Sequence, residues 1–539
     1  MPFTLRRSVR RRDPPPARSI VDVVKATIRV PHKREYNTYD HLALPLKPRK
    51  PHRHEPWVPF HIFDLPAELL SYIFLLGANE DIMVPIRVSH VCRGWRGLAL
   101  HTPALWRRIS LDARLRMWME RVHRAKACSL DILLTSRASI VPRTTTRRYL
   151  DAQSVQLYMH CMVPYINQWR SLTIEFQHYA PYLWNAALSS CCGRGQAVYA
   201  PHLEEMSLIY PHNDDSKEFV LFGGYAPRLR SVTTHGIRLT WLPTVFGNLT
   251  FLDYTHHGFT RGVDAASELL YMLQISNQLQ DLRISFPPSP SATLTYPTAF
   301  PADESAHLPH LTSLEVRIEG SDIPSALIQV MAHLSIPAVQ TLRLLAPTSI
   351  VRSPRTVDIA ARLRQLLKAL PRLYALRHLE VEHTWLSDPR FIFAVLHVVP
   401  SLKHLTLRGS HVTNPFFFDL SEILRARLRS SVSYGSPLTL DFIELDRCDA
   451  ITAGALADGV KHRLSGTPPC VRAIHIRECV SVDVAALRRV KNMNVRLRVW
   501  QKGEEVELVR STSRPQSRHR HGTGALLGTS SSDAAERTR

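Results

Sequence analysis

The chain has 539 residues, 45% hydrophobic and 21% charged, with a mean hydropathy of −0.12. That length exceeds one ordinary core and implies several domains or a repeat array. No apolar run reaches bilayer length, and the longest, near Phe391–Pro400, is interrupted by His397. The formal charge of +22 suggests nucleic acid at first sight, but its position argues otherwise. Residues 1–60 hold 14 Lys and Arg against 5 Asp and Glu, and residues 510–539 hold 6 against 2. The 449 residues between them carry only +9. No secretory apolar core opens the chain. The eight cysteines form no CxxC pair, so they are expected as reduced intracellular thiols, without a disulfide framework or a zinc site.

Residues 1–60 contain Arg6-Arg7, Arg10-Arg11-Arg12 and Pro14-Pro15-Pro16, with no sustained apolar period. This is expected to be a disordered basic arm: a nuclear-import signal, an organelle presequence or simply a solvated tail. His52 and His54 have no Cys partners there, so metal binding is not expected.

Residues 61–106 read as a helical module. Leu65-Pro66-Ala67-Glu68-Leu69-Leu70 opens a helix, with Pro66 near its first turn and Glu68 near the positive end of its dipole. Leu65, Leu69, Ile73 and Leu76 share one face. A second period runs through Val88, Val91, Cys92, Trp95, Leu98 and Ala99, and Thr102-Pro103 stops it. So few short helices cannot bury all their apolar surface alone. The Leu-Pro-x-Glu-Leu-Leu start, the Val-Cys-Arg-x-Trp-Arg-x-Leu-Ala middle and the Thr-Pro-x-Leu-Trp end, in that order, resemble the F-box. The resemblance implies docking on a Skp1-type adaptor and, through it, a cullin. Leu65, Pro66, Leu69 and Ile73 are then expected on or near the docking face, with Val88, Cys92 and Trp95 contributing.

From Trp106 onward an apolar residue is followed by another three later and a third two after that. Trp106, Ile109, Leu111 begin the series, and Trp169, Leu172, Ile174 and Leu203, Met206, Leu208 continue it. About a dozen such units run to Val471, Ile474, Ile476. The last two apolar positions make a short strand with one buried face. Helix-like stretches such as Ala360–Leu370 and Phe391–Val399 lie between strands. Pro201, Pro227, Pro309, Pro337 and Pro400 end the segments before strands. This series resembles the leucine-rich repeat. Two late units, with Cys448 and Cys479, fit its cysteine-containing subtype, where the cysteine is a buried packing residue.

The expected chain is therefore α/β: a short N-terminal helical F-box, then an irregular leucine-rich-repeat solenoid with parallel strands on the concave face and helices outside. It resembles F-box proteins of the fungal type with C-terminal repeats. Residues 107–164 are read as a linker with the first repeat-like strands, and 165–509 as the solenoid. Loop insertions are expected at 210–226 and 287–307, and a disordered tail at 510–539.

No phosphate-binding glycine motif, G-x-S-x-G or H-E-x-x-H occurs. His256-His257 tempts as a metal pair, but adjacent strand residues point to opposite sides. No cofactor, metal or catalytic residue is expected. On the strand face away from the core, acids outnumber arginines. Glu380, Glu382, Glu444 and Asp446, with Arg408 beside them, are the expected substrate contacts for a basic or mixed-charge protein. The leading expectation is a non-catalytic substrate receptor of an SCF-type ubiquitin ligase, in the cytoplasm, the nucleus or both, with no membrane or nucleic-acid partner. The alternatives are a repeat scaffold that uses the helical module only as a cap, and nucleic-acid binding through the basic arm.

Overall fold

The structure, a computed structural model, describes residues 62, 65–135, 150–177, 182–192, 198–287, 305–320, 322–346, 359–399, 401–432, 440–464, 469–488 and 495–506. The basic arm, the C-terminal tail and most of the 287–307 insertion lie outside these residues. The chain divides into two compact units, Met1–Leu402 and Lys403–Arg539.

Near the start of the described part of the first unit stand three helices, α1 (Ala67–Glu80), α2 (Val84–Ser89) and α3 (Arg93–Leu100). Pro66 stands immediately before α1, where a proline N–H is not needed, and Glu68 lies in its first turn. A short 3₁₀ turn, Pro103–Trp106, follows, and then strand β1 (Arg108–Ser110). Helix α4 (Leu115–Ala125) leads to β2 (Leu130–Thr135), followed by β3 (Trp169–Glu175) and β4 (Glu205–Ile209). The chain continues through β5 (Glu218–Phe219), β6 (Ser231–His235), β7 (Arg238–Leu239), β8 (Phe251–Thr255) and β9 (Asp281–Phe286). Next come β10 (Ala306–His307), β11 (Ser313–Ile318), β12 (Leu334–Ser335), β13 (Thr341–Leu345) and β14 (His378–Glu382). Strands β1, β2, β3, β4, β6, β8, β9, β11, β13 and β14 pair in that order, all parallel. The short β5–β7 and β10–β12 pairs stand apart from this sheet.

The second unit contains β15 (His404–Arg408), β16 (Leu440–Asp446), β17 (Val471–Arg477) and β18 (Arg496–Gln501), parallel in sequence order. An antiparallel strand, β19 (Glu504–Val506), is its last described element.

The three-then-two spacing explains the strands. In each unit the last two apolar positions face the core: Leu172 and Ile174, Leu282 and Ile284, Leu379 and Val381, Ile443 and Leu445 are all buried. The first apolar position closes a turn by donating its N–H to the carbonyl three residues back, as Leu203 does to Ala200 (3.3 Å), Leu229 to Ala226 (3.1 Å) and Leu279 to Ser276 (3.3 Å). Pro201, Pro227, Pro309 and Pro337 sit in these turns. Each fully buried Leu or Ile stabilises by roughly 1.5–3 kcal/mol, so the buried columns dominate the fold. Thr234 and Tyr254, which break the leucine pattern, occupy the same core column and are buried.

The 107–164 stretch, read as a linker with the first repeat-like strands, contributes β1, β2, α4 and a helix at Ala152–Met162. In the 210–226 insertion, Tyr210, Phe219, Leu221 and Phe222 are buried. Its polar Asn213-Asp214-Asp215 run masked these anchors, and Asn213 itself donates to the Gly236 carbonyl at 2.7 Å.

Candidate functional site: a helix with a second apolar face

Helix α1 is apolar on two adjoining faces. Leu70, Phe74, Gly77 and Ala78 are buried. They meet α2 and α3, with the Phe74 ring 4.9 Å from Trp95. On the neighbouring stripe Leu69 is 50% exposed, Tyr72 60% and Leu76 50%, with Ile73 half-buried between them. A helix apolar on both sides belongs in a core or under a partner, and among the described residues only one side is covered. Val91, in the α2–α3 turn, is 58% exposed.

The seven residues expected at a docking face therefore separate. Leu65, Pro66, Leu69 and Ile73 lie on exposed or half-exposed surface. Val88 is buried, because its turn of α2 faces inward, and it does not belong to an accessible face. Cys92 is the N-cap of α3, its sulfur accepting from Trp95 N at 3.4 Å. Trp95 packs on Phe74. Tyr72 was missed, although it stands three residues after Leu69 and seven after Leu65, on the same stripe.

On the strand face away from the core, several of the acids stand beside arginines of the same or neighbouring strands. The register sets Arg343 between Glu315 and Glu380 on adjacent strands, at 3.6 and 3.4 Å, and Arg317 reaches Glu315 at 2.6 Å. Glu382 is buried and accepts from the Ala346 N–H at 3.3 Å, so it serves the backbone instead of a partner. In the second unit Arg408 meets Asp446 at 2.6 Å and Arg477 meets Glu444 at 3.1 Å. Such pairs contribute only about 0.2–1 kcal/mol each, and they engage carboxylates that a basic partner would otherwise meet.

The same face in the second unit holds a row of rings. His404 stacks on Phe442 at 4.2 Å, Phe442 on His475 at 4.9 Å, and His475 meets Trp500 edge-on at 5.2 Å. Sorting these positions by charge hid the row. Its signal was aromatic side chains at outward offsets of successive units.

His256 and His257 do not point apart. Strand β8 ends at Thr255, so its alternation stops there, and the rings stack at 4.7 Å. His257 Nε2 lies 2.8 Å from Glu268 Oε1, and His256 Nε2 lies 3.1 Å from Thr260 Oγ1, which donates to Glu268 Oε2 at 2.9 Å. The donor atoms of the two histidines and Glu268 lie within 4.8 Å of one another. The proton inventory is nevertheless wrong for a metal. Gly258 N donates to His256 Nδ1 at 3.2 Å and Phe259 N to His257 Nδ1 at 3.0 Å, which puts both ring protons on Nε2. A metal on Nε2 needs the other nitrogen to donate outward, and here both Nδ1 atoms accept. Burial, then neighbouring His257, pushes the His256 imidazole down to about 4. Burial pushes the Glu268 carboxyl up, but the His257 hydrogen bond and charge, with Thr260 and Arg238, pull it below its ordinary range.

Cys448 and Cys479 are buried at matching positions of consecutive units. Their sulfurs donate to the Leu407 carbonyl (3.4 Å) and the Leu445 carbonyl (3.5 Å) respectively. The Cys479 hydrogen bond and burial push the Cys448 thiol up, away from thiolate chemistry.

An F-box-like family model matches residues 62–112, which span α1 to α3, the Pro103–Trp106 turn and β1. F-box domains generally bind Skp1-type adaptors. No curated protein matches the chain. Among the described residues no helix is long and apolar enough to cross a membrane.

Proposed function

We propose that this chain is the substrate-receptor subunit of an SCF-type ubiquitin ligase. In that role the exposed stripe of α1 docks a Skp1-type adaptor, and the adaptor connects it to a cullin. The observation that carries this reading is the uncovered second face of α1, inside the segment that matches the F-box-like family. The strands that follow read as leucine-rich-repeat units, and their outward face is the surface offered to a protein substrate. On this reading the chain is non-catalytic and acts in the cytoplasm or nucleus.

The experiment is affinity capture of the full chain from cells. Wild type is expected to bring down adaptor and cullin in stoichiometric amounts. Leu69→Ala with Leu76→Ala is expected to lose both. These side chains are half exposed already, so their removal costs the fold little, and melting temperature should stay close to wild type. Undiminished adaptor capture by the double variant contradicts the assignment.

The substrate surface is expected to depend on the ring row and not on the acids. Large aromatic side chains supply most hot-spot energy in protein interfaces. Phe442→Ala with Trp500→Ala should release substrate while leaving adaptor capture intact, which the same pull-down measures.

A further inference from the structure

Within the first unit a cleft of about 300 Å³ opens between the end of α1 and strands β1 to β3. Arg107, Arg108 and Arg170 line it with one acid, Asp131, and the hydroxyls of Ser171 and Thr173. The register brings them together: Arg108 stands opposite Asp131, and Asp131 opposite Ser171. Asp131 takes Arg107 Nε at 3.2 Å on one oxygen. Its other oxygen takes Arg170 Nε at 2.9 Å and Nη2 at 2.7 Å, with the Ser171 hydroxyl at 3.0 Å. Arg108 donates to the carbonyls of Ala78 and Asn79 at the end of α1. Those carbonyls carry the partial negative charge of the helix C-terminus but no formal charge, so the lining holds one carboxylate against three guanidiniums, a formal excess of two positive charges. The Arg107 and Arg170 side chains are only 30% and 29% exposed, which weakens solvent screening.

We propose that this cleft binds a small phosphate monoester. A phosphate dianion matches the excess of two charges. Its three terminal oxygens suit guanidinium forks and hydroxyl donors better than a carboxylate does. The volume is at the lower end for small-molecule sites, and Leu133 and Ile82 in the lining offer apolar cover for an organic portion. A nucleic-acid strand fits less well, because β4 places the exposed Glu205 opposite Ser171 and ends the positive field. A ligand here touches both the helical module and the first strands, so it should tie them together. The proposal does not depend on adaptor docking.

The test is calorimetric titration of the full chain with glycerol 3-phosphate, alongside thermal melting. Saturable binding that raises the melting temperature and weakens with salt is expected. Arg170→Gln should weaken it about tenfold or more. Thr173→Glu leaves the Asp131 contacts in place but puts a carboxylate in the cleft, so it should abolish binding even if Arg170→Gln fails to fold. Absence of saturation overturns the proposal, as does undiminished binding by a folded Thr173→Glu variant. Binding of a phosphoserine heptapeptide without binding of glycerol 3-phosphate overturns it too, because the phosphate then comes from protein.

Discussion

His256 shows how a residue's neighbours fix its chemistry. With the folded imidazole titrating near 4 and the unfolded one near 6.5, the unfolded state takes up a proton first as pH falls. The stabilisation is complete above about pH 6.5 and is lost progressively between 6.5 and 4, by roughly 3 kcal/mol for this one group. Urea unfolding across that range should show the loss, and His256→Phe should flatten it while lowering stability at neutral pH. An equally steep profile in that variant assigns the pH dependence elsewhere. The sequence contained the pair but not its geometry. The strand ends one residue before His256, and the partner Glu268 comes from the next helix, Gly262–Ile275, so neither spacing nor alternation brings the three together. The burial of Cys448 and Cys479 was legible through the resemblance of their units to the cysteine-containing repeat subtype, in which that residue packs inside.

At the scale of elements, α1 and the segment after it carry the argument. Helical period alone identified the stripe of Leu65, Leu69, Ile73 and Leu76. It did not say which of two apolar faces turns inward, since Leu70, Phe74 and Ala78 follow the same period. That choice is made by tertiary contacts such as Phe74 on Trp95. The attachment of the module to the strands was legible as a place, within residues 107–164, but not as a device. Arg121 of α4 is buried and donates to the Ile82 carbonyl at 2.5 Å and the Arg108 carbonyl at 3.5 Å. It lies beside Trp106, whose indole N–H donates to Ala99 at 2.8 Å. Burial, then Arg114, pushes the guanidinium down to about 10, so it stays charged at neutral pH. Arg121→Met should cost roughly 1.5–3 kcal/mol, the worth of its charge-assisted hydrogen bonds, read from denaturant midpoints. A chain beginning at residue 140 leaves the β3 edge and its apolar neighbours uncovered and is expected to aggregate. A soluble folded monomer from it removes the need for a cap.

For the molecule as a whole, net charge is a poor guide to partners. The +22 is concentrated toward both ends of the chain, and along the strands opposite charges face each other in register. Counting acids on outward positions sees one column at a time, whereas pairing depends on the neighbouring strand, which the repeat spacing sets only approximately. Glu380→Lys therefore removes a partner of Arg343 and places like charges side by side. It should cost up to about 1 kcal/mol without altering adaptor capture. The most direct test of adaptor docking is hydrogen exchange of the full chain with and without purified Skp1-type adaptor. Slowed exchange across Ala67–Glu80, with the outward strand face unchanged, is the expected result. Unchanged exchange in that helix while a complex forms elsewhere, or no complex at all, contradicts docking through the second face of α1.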